Sequence, residues 1–149
     1  MTEIRPFALE RYFARHEFSA RYLLGSSDPE AMTTGDLLAF EPGSEKSIAD
    51  VWLGYTESLG DPKLRHEISK HYQKISPEQI LVFTGAEEPI FAFMHAVLKP
   101  KDHLIVHFPS YQSHHSVAEA RGIEVSRWSG KPEQNWAPDL NELESLIKA

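Results

Sequence analysis

The 149-residue chain contains no cysteine, which excludes disulfide bonds and thiol catalysis. No apolar stretch approaches the ~20 residues that a membrane-spanning helix needs. Basic residues never form a run longer than two, and 15 Lys and Arg stand against 22 Asp and Glu. With a formal net charge of −7, we expect no nucleic-acid groove and no attachment to an anionic membrane. Acidic residues near the N-terminus argue against a transit peptide, so we expect a cytoplasmic protein.

Three strand-like segments are present, and each is followed by a helical pattern. Residues 80–83, 103–108 and 123–128 predict strands, and residues 87–98, 111–121 and 139–149 predict helices. This alternation predicts an α/β fold with a mainly parallel sheet and flanking helices. Ahead of it, residues 7–18 carry aromatic side chains among charges and predict an N-terminal helical arm that docks by its aromatic face.

The turn at residues 84–86 is a candidate anion site. It joins a predicted strand to a predicted helix, whose first N–H groups have no partner within the helix. Gly85 lets the backbone approach an anion closely. Parallel strands end at one edge of the sheet, so this turn and the turn around Tyr111 are expected to flank one crevice. Glu87 and Glu88 in the first helical turn could also neutralise the helix dipole by themselves.

The adjacent pair His114 and His115 raises the question of a metal site. Neighbouring side chains on a helix point in different directions, and no further histidine or acid stands at a matching interval. We therefore predict no metal.

Three ordered motifs carry a family resemblance. They are a Tyr-x4-Gly-x3-Leu-Arg element at residues 55–65, a Thr-Gly-Ala-x-Glu turn at 84–88 and a Pro-Ser-Tyr turn at 109–111. In this order, and over roughly residues 36–149, the chain resembles the fold-type I, pyridoxal-phosphate-dependent aminotransferases of the class I/II group. The resemblance implies a partial PLP-transferase fold and transfer of an amino group between an amino acid and a 2-oxo acid.

The resemblance also implies roles for individual residues. The backbone amides of Gly85, Ala86 and Glu87 would hold the phosphate of pyridoxal 5'-phosphate, and Tyr111 would stack on its pyridine ring. Tyr55 would reach the cofactor phosphate of the neighbouring subunit, since such sites lie at the interface of a homodimer. Without the resemblance, Tyr111 reads as a core aromatic and Tyr55 as an ordinary surface residue.

No lysine of the chain matches the family's Schiff-base lysine, so no catalytic residue is assigned. The resemblance therefore implies only the N-terminal part of an aminotransferase. Residues 1–45 would be an N-terminal arm and small-domain segment, and residues 46–149 the first half of the cofactor-binding large domain. We expect a truncated product, or one piece of a split enzyme with a complementary C-terminal chain, that is inactive alone.

Three alternatives stay open. The chain could be a non-catalytic interaction module or partner subunit on the same scaffold. It could belong to a lyase of the same superfamily, because the residues that separate these reactions are not matched here. A nucleotide-binding α/β domain is a third reading, although the chain has neither a Gly-x-Gly-x-x-Gly motif nor a phosphate-loop lysine.

Overall fold

The computed structural model describes residues 3–147, in which helices and two strands follow one another. The elements are α1 (Ala8–His16), α2 (Thr34–Leu38), α3 (Ser44–Ala49), α4 (Pro62–Ser69), α5 (Glu87–Val97), β1 (His103–Phe108), α6 (Ser113–Ala120), β2 (Glu124–Ser129) and α7 (Leu140–Leu146), with short 3₁₀ turns at Pro77–Gln79 and Pro132–Gln134. No helix of this described part is both long and apolar enough to cross a membrane.

The described residues fall into two compact units. One combines the N-terminal segment through Ala20 with the segment from Phe83 onward, and the other is Arg21–Val82. The predicted division near residue 45 concerns the domains of a complete enzyme and stays a prediction.

The sheet consists of β1 and β2, which pair in parallel with His103 opposite Glu124 and Phe108 opposite Ser129. Helix α6 connects the two strands, as a parallel pair requires, since a hairpin turn cannot bring two strands into the same direction. Both strands and the helix between them were predicted from the sequence. The parallel sheet and the α/β class are therefore confirmed.

The strand predicted at residues 80–83 is wrong. Ile80 has extended dihedral angles (φ −107°, ψ 128°), but the segment forms no ladder with another strand in residues 3–147. Its backbone instead bonds to two preceding carbonyls: the N–H of Ile80 donates to Pro77 at 3.3 Å, and the N–H of Val82 donates to Leu59 at 2.9 Å. Gly60 permits this approach, because a Cβ there would lie 2.7 Å from the Val82 side chain. An apolar run predicts an extended segment, whereas a strand also needs a partner.

The core of the first unit lies between α5, α6 and the start of β2. Met94, Val117, Ala118 and Ile123 are buried together there. Ala118 is fully buried, which a methyl side chain allows where a helix packs closely on its neighbours. Helix α6 is largely buried, and its buried side chains include Ser113 and Ser116.

Candidate functional site

The start of α5 leaves backbone N–H groups without partners in the helix. The first helical bond runs from the N–H of Ile90 to the carbonyl of Ala86, so the N–H groups of Glu87 and Glu88 have no acceptor within the helix. No side chain caps this end. Gly85 precedes it at φ +82°, and a Cβ at Gly85 would meet no atom within 4 Å. The open space over these amides can accept an anion.

The two acidic residues that follow the turn have different contacts. The Glu88 carboxylate folds back and accepts the N–H of Thr84 at 2.7 Å. The Glu87 carboxylate instead accepts the hydroxyl of Ser113 on α6 at 3.2 Å. Of the two carboxylates, that of Glu88 therefore bonds at the turn itself, and that of Glu87 bonds toward α6.

Tyr111 lies between β1 and α6, close to the start of α5. Its hydroxyl donates to Glu10 Oε1 of the arm helix α1 at 3.5 Å. Burial raises the pKa of the Tyr111 phenol, and the negative charges of Glu87 and Glu10 raise this pKa further. The phenol therefore stays protonated, and it can donate a hydrogen bond through the whole physiological range of pH.

Glu87 and Tyr111 line one cavity of about 340 Å³, which we call the Tyr111 cavity. Its walls include Arg5, Phe7, Glu10, Glu87, Phe91, Tyr111 and Ser116. The structure thus brings Glu87, the first residue of α5, and Tyr111 to one cavity, although they lie 24 positions apart in sequence. The volume falls within the usual range for small-molecule sites.

Tyr55 belongs to the Arg21–Val82 unit and is fully exposed. It lines a different cavity of about 520 Å³, together with Trp52 and Asp61 of the same unit. The other four predicted cofactor-binding residues all belong to the first unit. Their assignment to a cofactor, and that of Tyr55, stays a prediction.

The arm contributes contacts that the sequence did not predict. Gln112 accepts the N–H of Ala8 at 2.9 Å and donates to the carbonyl of Pro6 at 3.0 Å. The Phe7 ring lies edge-on to Tyr111, with centroids 4.8 Å apart and planes at 70°. The aromatic pattern of residues 7–18 signalled that the arm docks, but no local pattern marks Gln112 as its anchor.

A second group of charges surrounds Glu119 of α6. Arg5 approaches Glu119 at 3.7 Å, and Glu119 also lies 3.3 Å from the ring of buried His115. In contrast, neither Glu10 nor Glu87 forms an ion pair with any Lys, Arg or His of the described residues. The Tyr111 cavity thus carries two carboxylates without a cation bound to either.

Comparisons with known proteins agree on one family. The family model for "Aminotransferase class I and II" matches residues 24–149. Capreomycidine synthase of Streptomyces vinaceus is 26% identical over 141 residues, which cover 93% of this chain and 36% of the synthase. Tyrosine aminotransferase of Bos taurus is 30% identical over 98 residues, which cover 63% of this chain and 22% of that enzyme.

A solved structure supports the same assignment. The crystal structure of a PLP-dependent aminotransferase from Streptococcus suis 89-1591 aligns with a TM-score of 0.89 and 29% identity, over 99% of this chain and 40% of that one. The chain thus spans two-fifths or less of the length of these three relatives. Because the family model covers most of the sequence and the fold matches that of a solved member, the chain belongs to the class I and II aminotransferases of fold type I, whose cofactor is pyridoxal 5'-phosphate.

Proposed function

We propose that this chain is the N-terminal portion of an aminotransferase that transfers an amino group between an amino acid and a 2-oxo acid. The observation that carries the proposal is that Tyr111 and Glu87, the first residue of the uncapped helix α5, line one cavity. Family membership alone supports the reaction class. The shared cavity adds a place where one small molecule with a phosphate and a flat ring can contact both.

The residues at the start of α5 fit a phosphate. The amides of Gly85, Ala86 and Glu87 would donate to its oxygens, and the positive end of the helix dipole would favour its charge. Gly85 leaves open space where any other residue would place a side chain. Pro89, the third residue of α5, has no N–H to donate, so the donor set is confined to the turn and the first two helical residues.

Tyr111 fits the ring of the cofactor. A flat aromatic side chain fixes the plane of a second ring and excludes water from that face. When bound, pyridoxal 5'-phosphate supplies an electron-withdrawing ring that stabilises negative charge on the α-carbon of the substrate. The phenol also donates to Glu10, and this bond holds the position of the Tyr111 ring.

The reaction also needs a lysine, and we propose that it lies outside this chain. All lysines among residues 3–147 are exposed, whereas a lysine is activated by removal from water or by a nearby cation. The chain alone is then inactive. A homodimer, in which Tyr55 reaches the phosphate of the neighbouring subunit, completes the proposal, and a complementary C-terminal chain would serve in a split enzyme. We place the protein in the cytoplasm.

Titration of the full-length protein, meaning the complete enzyme of which this chain is proposed to be the N-terminal portion, with pyridoxal 5'-phosphate tests the binding residues. Tyr111→Phe keeps the ring and is expected to bind pyridoxal 5'-phosphate with nearly unchanged affinity. Tyr111→Leu is expected to bind it about three- to tenfold more weakly, because a stacked aromatic pair contributes about 0.5–1.5 kcal/mol beyond buried area. Equal affinities in the two variants would contradict the stacking role.

Borohydride trapping of the cofactor followed by peptide mapping tests the lysine assignment. We expect the modified lysine outside residues 1–149. A modified lysine at one defined position within these residues would refute the proposal that the chain is catalytically incomplete.

One relative favours a second reaction type for the same site. The protein from Streptomyces vinaceus is named a synthase, whereas the Bos taurus relative is named an aminotransferase. Product analysis of the full-length protein separates the readings. Equal amounts of new amino acid and new 2-oxo acid support transamination, and release of ammonia without a new amino acid supports the lyase reading.

A further inference from the structure

Gln112, the residue after Tyr111, holds the N-terminal arm by both ends of its side-chain amide. Its oxygen accepts the N–H of Ala8 at 2.9 Å, and its nitrogen donates to the carbonyl of Pro6 at 3.0 Å. These two peptide groups flank Phe7, so the amide fixes the backbone on either side of that residue. Phe7 provides no side-chain cap for α1, which begins at Ala8. Gln112 therefore supplies, from 104 positions away in sequence, an acceptor that the start of α1 otherwise lacks.

The part of the arm that Gln112 fixes also contacts Tyr111. The Phe7 ring lies edge-on to the Tyr111 ring, with centroids 4.8 Å apart. One helical turn later, Glu10 accepts the Tyr111 hydroxyl at 3.5 Å. The arm thus holds the proposed stacking ring at its edge and at its hydroxyl, and the arm is itself held by the next residue of the chain.

The arm forms one wall of the Tyr111 cavity. Four of its residues line the cavity: Ile4, Arg5, Phe7 and Glu10. The other described walls come from α5 and from residues 111–117. Helices α5 and α6 contribute Met94 and Val117 to the buried core, whereas no residue of α1 is buried. A segment with little buried surface opens at a lower free energy than the core does, so the arm is the wall that can move.

The ion pair of the arm is a weak attachment. Arg5 approaches Glu119 at 3.7 Å, and the Arg5 side chain is 70% exposed. Such a pair contributes little, because water and salt screen its charges. Gln112 is less exposed, and its two hydrogen bonds to the arm have ordinary lengths. Removal of these bonds should therefore favour an open arm.

We propose that the arm is a lid on the cofactor site and that Gln112 is the positioning residue that keeps this lid closed. Opening lets the cofactor enter or leave the Tyr111 cavity, and closing places Phe7 and Glu10 against Tyr111. Gln112 acts here through the arm, so it controls the rate of cofactor exchange. The inference rests on the proposed function for the identity of the bound molecule, and it adds what regulates how long that molecule stays bound.

The rates at which the full-length protein binds and releases pyridoxamine 5'-phosphate test the lid. This molecule has the phosphate and the ring of the cofactor but no aldehyde, so reaction with a lysine does not complicate its exchange. Gln112→Ala and Gln112→Met both remove the two bonds to the arm, and methionine keeps nearly the length of the side chain. In stopped-flow fluorescence, both variants are expected to associate and dissociate about tenfold faster, because easier opening speeds both steps. The Kd is expected to change by less than about threefold, since the two rates rise together.

The association rate distinguishes a lid from a purely structural contact. A substitution that only displaced the Tyr111 ring would raise the dissociation rate and leave the association rate unchanged, and that result would overturn the inference. Unchanged rates in both Gln112 variants would overturn it as well. Gln134→Ala removes an exposed glutamine of the same unit that does not line the cavity, and it is expected to leave both rates unchanged. An equal rise in this control would show general loosening of the unit and no lid.

The lid and the proposed function fail in different ways. If the unmodified full-length protein binds pyridoxamine 5'-phosphate but its exchange does not depend on Gln112, the proposed function stands and the lid is wrong. If that protein binds neither pyridoxamine 5'-phosphate nor pyridoxal 5'-phosphate, the proposed function is wrong, and the lid is wrong with it.

Discussion

The substitution Gly85→Ala separates backbone strain from ligand binding at the start of α5. Gly85 has φ +82°, a conformation that costs an alanine about 1–2 kcal/mol. Gly122, just after α6, has φ +76° and offers a matched control in the same unit. A Cβ added at either glycine meets no atom within 4 Å. The two substitutions therefore share the conformational cost and add no clash within the chain.

We expect Gly85→Ala and Gly122→Ala to differ in their affinity for the cofactor but not in their stability. Both variants should lose about 1–2 kcal/mol of unfolding free energy. Gly85→Ala alone places a methyl group in the space where the phosphate would approach the amides. Loss of one hydrogen bond to a charged group costs about 1.5–3 kcal/mol, so its affinity for pyridoxal 5'-phosphate should fall at least about tenfold.

Urea unfolding and cofactor titration of the full-length protein measure the two quantities separately. The reasoning is refuted if Gly122→Ala weakens cofactor binding as much as Gly85→Ala does, because strain alone would then explain the loss. It is also refuted if Gly85→Ala binds the cofactor as tightly as the unmodified protein.

Three further predictions concern the surroundings of the turn and of Tyr111. Glu88→Gln removes the negative charge that accepts the Thr84 N–H, so phosphate affinity should rise about two- to fivefold in a titration with inorganic phosphate. Gln112→Ala removes both hydrogen bonds to the arm, which contribute about 1–3 kcal/mol together, so the Ala8 amide should exchange its hydrogen faster. Burial and two carboxylates raise the pKa of Tyr111 above its usual 10.0. The contribution of the protonated phenol to the free energy of unfolding should therefore be complete below pH 10.0 and decline above it. When the free energy of unfolding is measured at increasing pH, Tyr111→Phe should show a smaller decline.

Each of these has a control and a contradicting result. Glu78→Gln changes an exposed acid of the other unit and should not alter phosphate affinity, so an equal rise there would indicate a general charge effect. Gln73→Ala, also exposed and outside the arm contacts, should leave exchange at the arm unchanged. An identical decline of stability above pH 10 in Tyr111→Phe would show that other groups cause it.

The local parts of the site were predictable from short stretches of sequence. A helical pattern places α5, an apolar run places β1, and the glycine at residue 85 marks the turn between an extended segment and a helix. These features depend on residues within a few positions of one another. The strand predicted at residues 80–83 in the same way is wrong, because strand pairing requires a neighbouring strand, which local composition does not reveal.

The sequence by itself determined the α/β class, the N–H groups left free at the start of α5 and the order of motifs that identifies the family. The tertiary structure alone decided that Glu10 of the arm and Glu87 of α5 approach the same phenol, and that Gln112 anchors the arm. Glu10 and Tyr111 are 101 positions apart in sequence. Contacts over such a separation arise from the packing of whole helices against the sheet, and no periodicity within a single helix or strand encodes them.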